Sequence, residues 1–287
     1  MKKLLMLVLC GGLLVACSSE SSYTVKITSP DDVLLSGSEI EITKQQYFEK
    51  LLDAYGSNEL LNEAVNAIAD KELTDQSAID TALNEKITTY KEYAGGDLNA
   101  YAIKMGYSSQ EEYVQLELLP MVKLELLRKK YIDENLDELI KTYQVCSFKK
   151  IVVDKESTAL NIIKEATTAE AFDAKVTEYG TAAEDAGIVT KNSTLDDNLK
   201  EQLETLSAIS EDGVYSKAIK LSDDSYAVVY MYNTDHSNKD KIISSLSSDS
   251  KVQTAIEGGY LKEYNFKIYD DKLKDAIKKI SEDYIVE

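Results

Sequence analysis

Few residues in this sequence have the types and spacing that acid–base, nucleophilic or metal chemistry requires. The only histidine, His236, lies in a polar turn, where we expect a solvated side chain, because a catalytic site needs convergent partners. The acidic pairs Glu111-Glu112, Asp223-Asp224 and Asp270-Asp271 are adjacent in sequence and suit turns or helix caps better than acid–base dyads. Neither a glycine-rich phosphate loop nor an activated serine arrangement is visible. We therefore expect no metal and no cofactor.

Cys17 is the residue whose position most clearly predicts a covalent modification. A basic start precedes an apolar run from Leu4 to Val15, which has the length of a secretory signal and is too short to span a bilayer. The run ends in Leu14-Val15-Ala16-Cys17, which resembles the lipobox of bacterial lipoproteins. This resemblance implies cleavage before Cys17 and lipid attachment to its thiol. Residues 1–16 would be a signal peptide and residues 17–39 a lipidated tether; the alternative is an ordinary secretory signal in which Cys17 is incidental.

Cys146 is expected to pack as a small apolar residue of a strand. Cys10 would leave with the signal and Cys17 would be acylated, so Cys146 would be the one free thiol and no intrachain disulfide could form. Only the nearby Lys149 and Lys150 would favour a thiolate. An inert, packed thiol is therefore the preferred interpretation.

The balance of charge excludes some partners. The chain has 287 residues with 32 lysines and arginines against 51 acids, a net charge of −19, and its length allows two modest domains. Such an acidic surface repels nucleic acid phosphates, and no basic patch compensates for it. Anionic lipid headgroups would be repelled too. We therefore expect no nucleic acid partner, and a membrane location that depends on a covalent anchor.

Capping signals and periodicity predict helices at both ends of the mature chain. Thr43 and Gln46 form a capping box that begins the first helix, and Gly56 is predicted to end it. Towards the C-terminus, the alternation from Tyr264 to Ile268 predicts a short strand. Asp270 or Asp271 would then cap a final amphipathic helix.

The longest helical pattern follows a second capping box, formed by Ser108 and Glu111. Pro120 lies inside this pattern and predicts a kink or a break near Leu119, because proline removes one backbone hydrogen bond. The apolar surface of this helix is wider than a single-sided surface helix needs. We therefore expect the helix to be covered on two sides or to hold a partner.

Residues 144–232 are predicted to form an inserted α/β module. The segment opens with the apolar strand Phe148–Val153 and closes with the strand-like run Tyr226–Tyr232. Helical segments 40–143 and 233–287 flank it and are predicted to form one domain together. The predicted fold class is α+β and mostly helical.

This layout, behind a lipobox, resembles the PrsA-type foldase lipoproteins, which are similar to SurA-like chaperones. Gly213-Val214-Tyr215-Ser216 is similar to the family's turn before its last hairpin, and the segment from Phe266 to Lys274 is similar to the family's C-terminal pattern. The resemblance implies a helical chaperone domain made of both ends of the chain, with a parvulin-like prolyl isomerase module between them.

The module lacks the histidines that the resemblance leads one to look for. Parvulin-type enzymes have a strand with the sequence His-Ile-Leu-Val, and Lys150 stands at the histidine position of the matching run here. A later strand with the sequence Gly-Tyr-His-Ile-Ile is matched by a run in which Ala227 replaces the histidine. The acid that the family usually has falls in residues 179–182, which contain none. Because an ammonium cannot accept a proton at neutral pH, we expect prolyl isomerase activity to be lost or very weak.

Together these features predict a lipid-anchored chaperone on the extracytoplasmic face of the cell membrane that binds unfolded or partly folded secreted proteins. Two alternatives stay open: an active prolyl isomerase with substitute pocket residues, and a surface lipoprotein of another binding class. The 19 tyrosines could serve a binding surface, but helical spacing predicts that most of them pack. The sequence leaves open whether the chain forms a homodimer.

Overall fold

The computed structural model describes residues 27–179 and 184–286. It is mostly helical, with one two-stranded and one five-stranded sheet among these residues, so the predicted α+β class is confirmed. The predicted signal peptide and Cys17, with the first part of the predicted tether, lie outside the described residues. In the described ranges, no helix has the length and apolar content needed to cross a membrane.

The elements before the large sheet are mostly helices. In chain order they are β1 (Val33–Ser36), β2 (Glu41–Thr43), α1 (Lys44–Leu51), a π-helical segment (Leu52–Gly56), α2 (Ser57–Glu72), α3 (Gln76–Tyr93), α4 (Leu98–Lys104), α5 (Gln110–Tyr113), a second π-helical segment (Val114–Leu118), α6 (Leu119–Glu134) and α7 (Leu136–Thr142).

The remaining elements contain the five-stranded sheet and the C-terminal helices. They are β3 (Cys146–Val153), α8 (Glu156–Glu165), α9 (Ala169–Tyr179), β4 (Glu184–Val189), α10 (Asp197–Glu201), α11 (Leu203–Ser207), β5 (Gly213–Val214), β6 (Ile219–Lys220), β7 (Tyr226–Met231), α12 (Lys239–Ser248), α13 (Ser250–Glu263), α14 (Asp271–Ile280) and a 3₁₀ turn (Glu282–Tyr284).

The chain divides into two compact units. One unit holds the described residues up to Glu59 together with those from Lys267 onward, and the other holds residues 60–266. The predicted inserted module, residues 144–232, contributes all strands of the large sheet to the second unit. Its borders with the predicted helical domain stay a prediction.

In the first unit, the predicted capping box is present: Thr43 accepts from the Gln46 N–H, and the Gln46 side chain accepts from the Thr43 N–H. The prediction that Gly56 ends the helix is wrong, because the backbone continues through a π-helical turn into α2. A Cβ at Gly56 would come within 3.0 Å of the side chains of Leu52 and Leu273, so the glycine serves close packing.

Two predicted helix boundaries in the second unit need correction. The predicted capping box of Ser108 and Glu111 is wrong: Ser109 caps α5 by accepting from the Glu112 N–H, and the Glu112 carboxylate accepts from the N–H of Ser108, the residue before the cap. The predicted interruption near Leu119 takes the form of the second π-helical segment. Pro120 follows directly at the start of α6, and because the backbone is helical on both sides, its missing N–H accounts for the interruption.

The strand predicted from Tyr264 to Ile268 is also wrong. Asn265 has a left-handed backbone, with φ of +51°, and follows the end of α13. The Phe266 N–H donates to Leu261 O at 2.9 Å, which is the bond of a helix-terminating Schellman motif. The alternating residues therefore belong to a helix cap and the extended segment after it.

The five-stranded sheet is antiparallel, with the order β4-β3-β7-β5 and with β6 also paired to β7. Both of its faces are covered by helices. One face, here called the α10–α11 face, packs Phe148, Ala227 and Val229 against leucines of α10 and α11. The opposite α8–α9 face packs Ile151 and Val228 with residues of α8 and α9. The central strands β3 and β7 are consequently buried on two sides, which explains their largely apolar sequences; Ser147, Lys149 and Lys150 of β3 are the exceptions.

Candidate functional site

Lys150 and Ala227 lie on the two central strands of the large sheet and on the same face. Lys150 pairs with Val229 across the β3–β7 ladder, and Ala227 pairs with Val152 two positions away. Side chains alternate along a strand, so Lys150 shares the α10–α11 face with Phe148. The two positions are thus diagonal neighbours, about 7–8 Å apart by standard sheet geometry.

Ala227 is part of a packed apolar layer. It has no exposed surface, and its cluster includes Phe148, Leu203 and Leu206, all fully buried. A methyl group here offers neither a proton acceptor nor a donor. The position therefore serves packing between the sheet and α11.

Lys150 is held by a carboxylate of the neighbouring strand. Its Nζ lies 2.9 Å from Glu184 Oε2, and Lys150 and Glu184 are direct partners in the β3–β4 ladder. The lysine side chain is 17% exposed, whereas Glu184 is 67% exposed, so the pair lies at the edge of the layer. The adjacent Lys149 takes the other face, where its ammonium contacts Asp173 of α9 at 3.0 Å.

The single histidine takes no part in this arrangement. His236 follows β7 with a left-handed backbone, φ of +52°, and its Nε2 lies 3.3 Å from Val145 O. Its side chain is partly buried, so it is less exposed to solvent than the sequence predicts. The structure thus places no imidazole at Lys150 or Ala227.

Cys146, the only cysteine among the described residues, lies in the α10–α11 face. Burial raises the pKa of its thiol to about 12. A thiol that stays protonated is a poor nucleophile. Cys146 thus packs as the sequence predicts. In the described part of the chain, no group of three or more His, Cys, Asp or Glu side chains is placed to hold a metal ion.

Tyrosines form a contact cluster between α3 and the second π-helical segment. The ring of Tyr113 contacts those of Tyr90, Tyr101 and Tyr107, with centroids 5.2–6.3 Å apart. Burial, followed by the neighbouring phenols, raises the pKa of Tyr113 to about 12. Tyr90 packs, as helical spacing predicts, but Tyr47 and Tyr55, for which the spacing predicts the same, are 51% and 62% exposed, so the prediction is wrong for them. Other apolar side chains near Tyr113 point outward. Those more than half exposed are Tyr93, Ile103, Met105 and Leu116.

A cleft of about 700 Å³ lies in the second unit beside α7 and α11. Its apolar lining includes Leu136, Ile140 and Ala208. Charged groups of both signs also line it: the carboxylates of Asp137, Glu204 and Asp235 and the ammonium groups of Lys141 and Lys239. We refer to it as the Ile140 cleft. Sequence reasoning missed it because its walls come from segments far apart in the chain.

Comparisons with known proteins agree with the motif resemblance. No family model matches the chain. The chain is similar to the foldase protein PrsA of Pediococcus pentosaceus, with 24% identity over 256 residues that cover 83% of this chain and 85% of the relative. Among solved structures, it is similar to the peptidylprolyl isomerase PrsA of Bacillus cereus, with a TM-score of 0.49, 16% identity, and coverage of 88% of this chain and all of the other.

A second similar structure is PrsA of Bacillus subtilis, with a TM-score of 0.42, 18% identity, and coverage of 87% of this chain and 99% of the other. The curated relative aligns over most of both chains. The similarity to this curated relative supports the PrsA-type foldase family, which the sequence motifs resemble.

Proposed function

We propose that this protein is a lipid-anchored, extracytoplasmic chaperone that binds unfolded or partly folded secreted polypeptides and has lost prolyl isomerase activity. The loss of prolyl isomerase activity is inferred from the side chains at the two positions where parvulin-type enzymes have histidines. Lys150 is engaged by Glu184, and Ala227 is buried among apolar side chains. Neither position therefore offers the imidazole that parvulin-type enzymes have there.

The energetic demand of the reaction makes this substitution decisive. Isomerising a prolyl bond means crossing a barrier of about 18–20 kcal/mol that is set by amide resonance. A catalyst must therefore stabilise the twisted amide better than the planar one. A methyl group at position 227 offers no polar interaction, and the Lys150 ammonium can only donate hydrogen bonds.

Client binding is supported by two apolar surfaces of the second unit. The Ile140 cleft combines an apolar lining with charged side chains of both signs, which suits segments that carry both apolar and polar side chains. The outward-facing residues between α3 and the second π-helical segment offer a further surface, on which Leu116 is 60% exposed. An unfolded polypeptide exposes all of its side chains, so it can contact both surfaces.

The chaperone proposal is tested by aggregation assays with residues 18–287. We expect stoichiometric amounts to suppress aggregation of thermally unfolded citrate synthase or reduced lysozyme. Leu116→Gln should weaken suppression, whereas Leu160→Gln, which changes an exposed leucine of α8, should not. Absence of suppression by the unaltered chain would reject the proposal.

Loss of isomerase activity is tested separately with a protease-coupled proline peptide. The expected rate equals the spontaneous one, which has a time constant of tens to hundreds of seconds. A rate clearly above it would favour the alternative of an active enzyme with substitute pocket residues.

The anchor rests on the sequence around Cys17, outside the described residues. Metabolic labelling with a palmitate analogue should mark the unaltered chain and leave Cys17→Ala unlabelled. Membrane fractionation should find the unaltered chain with the membranes and Cys17→Ala in the soluble fraction. Labelling of the variant, or release of the unaltered chain into the medium, would contradict lipid anchoring.

A further inference from the structure

The hairpin of β1 and β2 in the first unit has an open edge. In the described part of the chain, β1 pairs with β2 alone, and the two form a sheet of only two strands. We call the side of β1 that faces away from β2 the β1 edge. The edge of a sheet presents backbone N–H and C=O groups with which another extended chain can pair. A two-stranded sheet is marginally stable, so a third strand would also stabilise the hairpin.

The side chains along the β1 edge are apolar and open to solvent. Val33, Leu34 and Leu35 are between 48% and 63% exposed, and Ile40, between the two strands, is 71% exposed. Natural edge strands often carry lysine or proline, which prevent pairing with other chains, and β1 contains neither. A register shift between Val33 and Leu35 limits regular pairing to a short run. The β1 edge therefore suits a short extended partner with apolar side chains.

An unfolded polypeptide meets these requirements better than a folded protein does. The main-chain groups of an edge are matched by the main chain of another strand, which supplies donors and acceptors at the same spacing. A folded partner has to offer a free edge of its own. An unfolded client has free backbone groups along its whole length, and it withdraws them when it folds.

Charge around the hairpin distinguishes between possible partners. The acidic pair Asp31-Asp32 precedes β1, and Glu39 and Glu41 follow it. Lys44, at the start of α1, donates its ammonium to the carbonyl oxygen of Thr28 at 2.8 Å. Lysine or arginine beside the apolar run of a partner would complement these carboxylates, whereas a second copy of the hairpin would bring the same carboxylates and be repelled.

We propose that the β1 edge binds an extended segment of a client as a third strand, and that it prefers apolar runs flanked by lysine or arginine. This rests on the proposed function, because it identifies how the chaperone recognises an unfolded chain. Backbone pairing supplies contacts that depend little on the client's sequence, and the exposed side chains of β1 add the apolar preference. A client that folds loses the extended backbone and is released.

The test measures how a blocked Lys-Val-Thr-Val-Thr-Val-Lys peptide changes amide hydrogen exchange in residues 18–287, followed by NMR. At saturation, exchange of β1 amides should slow by about tenfold. A Lys-Val-Thr-Pro-Pro-Val-Lys peptide has the same charge but lacks one N–H on each edge of the strand, and it should bind about tenfold more weakly. Replacing both lysines of the first peptide by glutamate should weaken binding by about threefold at low salt.

Two matched variants test the apolar contact. Leu34→Gln should weaken binding of the first peptide by about threefold. Leu160→Gln makes the same change at an exposed leucine of α8 and should leave the affinity unaltered. Because both leucines are exposed, neither variant removes a core residue, and circular dichroism melts confirm that each one folds.

Equal affinity for the diproline peptide, or binding without slower exchange in β1, would overturn the proposal. So would slow exchange of every β1 amide in the free protein, which would show that another part of the chain covers the edge. A dimer that Leu34→Gln dissociates in sedimentation would assign the edge to a second copy and reject a client there. Suppression of aggregation without pairing at β1 would reject this proposal alone, and pairing without suppression would reject the chaperone role alone.

Discussion

Glu184 lies directly opposite Lys150 in the β3–β4 ladder, and the two side chains form an ion pair in which Nζ and Oε2 are 2.9 Å apart. Because Glu184 is two-thirds exposed, this pair contributes less than about 1 kcal/mol to stability. The lysine is therefore tolerated at this position without being needed there. Ala227, by contrast, is required by the packing around it.

The two histidine positions should differ in how they accept a histidine. We expect Lys150→His to change the free energy of unfolding by less than about 1 kcal/mol. Ala227→His should cost about 1–3 kcal/mol or more, because a ring must be inserted beside Phe148 and Val229 in a layer without exposed surface. Urea unfolding of residues 18–287 measures both. A double variant that is as stable as the unaltered chain and isomerises proline peptides would contradict this account.

Breaking the ion pair between Arg128 of α6 and Glu257 of α13 should cost more stability than breaking an exposed pair. The two side chains are 18% and 12% exposed, and Arg128 Nε donates to Glu257 Oε1 at 2.9 Å. Arg128→Met removes the cation from a largely enclosed carboxylate and should cost about 2–4 kcal/mol. Lys129→Met is the matched control, since Lys129 pairs with the exposed Asp133, and it should cost less than about 1 kcal/mol. Equal costs in urea unfolding would show that burial does not distinguish the two pairs.

Local sequence signals are sufficient to predict a structural feature when the residues that form it are close together in the chain. The capping box at Thr43 and the cap at Asp270 are both present, because each bond closes within three residues. The order of strand motifs likewise allowed Lys150 and Ala227 to be assigned to two strands of one module, which are paired in the structure.

Contacts between distant segments could not be predicted in the same way. The partner of Lys150 depends on a bulge that shifts the register of β4 between Phe148 and Lys149. Gly56 was expected to end a helix, but its missing Cβ serves packing against Leu273, more than two hundred residues later in the chain.

Cys146 should be protected from alkylation in the folded protein. Burial raises the pKa of its thiol to about 12, so both access and the thiolate fraction are low at neutral pH. In residues 18–287 it is the only cysteine, and we expect iodoacetamide to modify it only after urea unfolding. Intact-mass spectrometry reports the product directly. Complete modification under native conditions would place Cys146 at a reactive, accessible site instead.

Glu72 should make folding stability depend on pH in a way that Tyr264 controls. Glu72 accepts from the Tyr264 hydroxyl at 2.6 Å and pairs with Lys130 at 3.0 Å, and these bonds, that of Tyr264 foremost, lower the pKa of Glu72 from 4.5. A carboxyl whose folded pKa lies below its unfolded value stabilises the fold above the unfolded value, and this stabilisation is lost as the pH falls through the folded pKa. Tyr264→Phe removes the donor and keeps the ring beneath Lys71, so its urea midpoint should fall less between about pH 7 and pH 3 than that of the unaltered chain. Tyr55→Phe, which changes an exposed tyrosine, is the control, and its urea midpoint should fall with pH as that of the unaltered chain does. If the midpoint of Tyr264→Phe falls by the same amount, the hydrogen bond from Tyr264 does not set the pKa of Glu72.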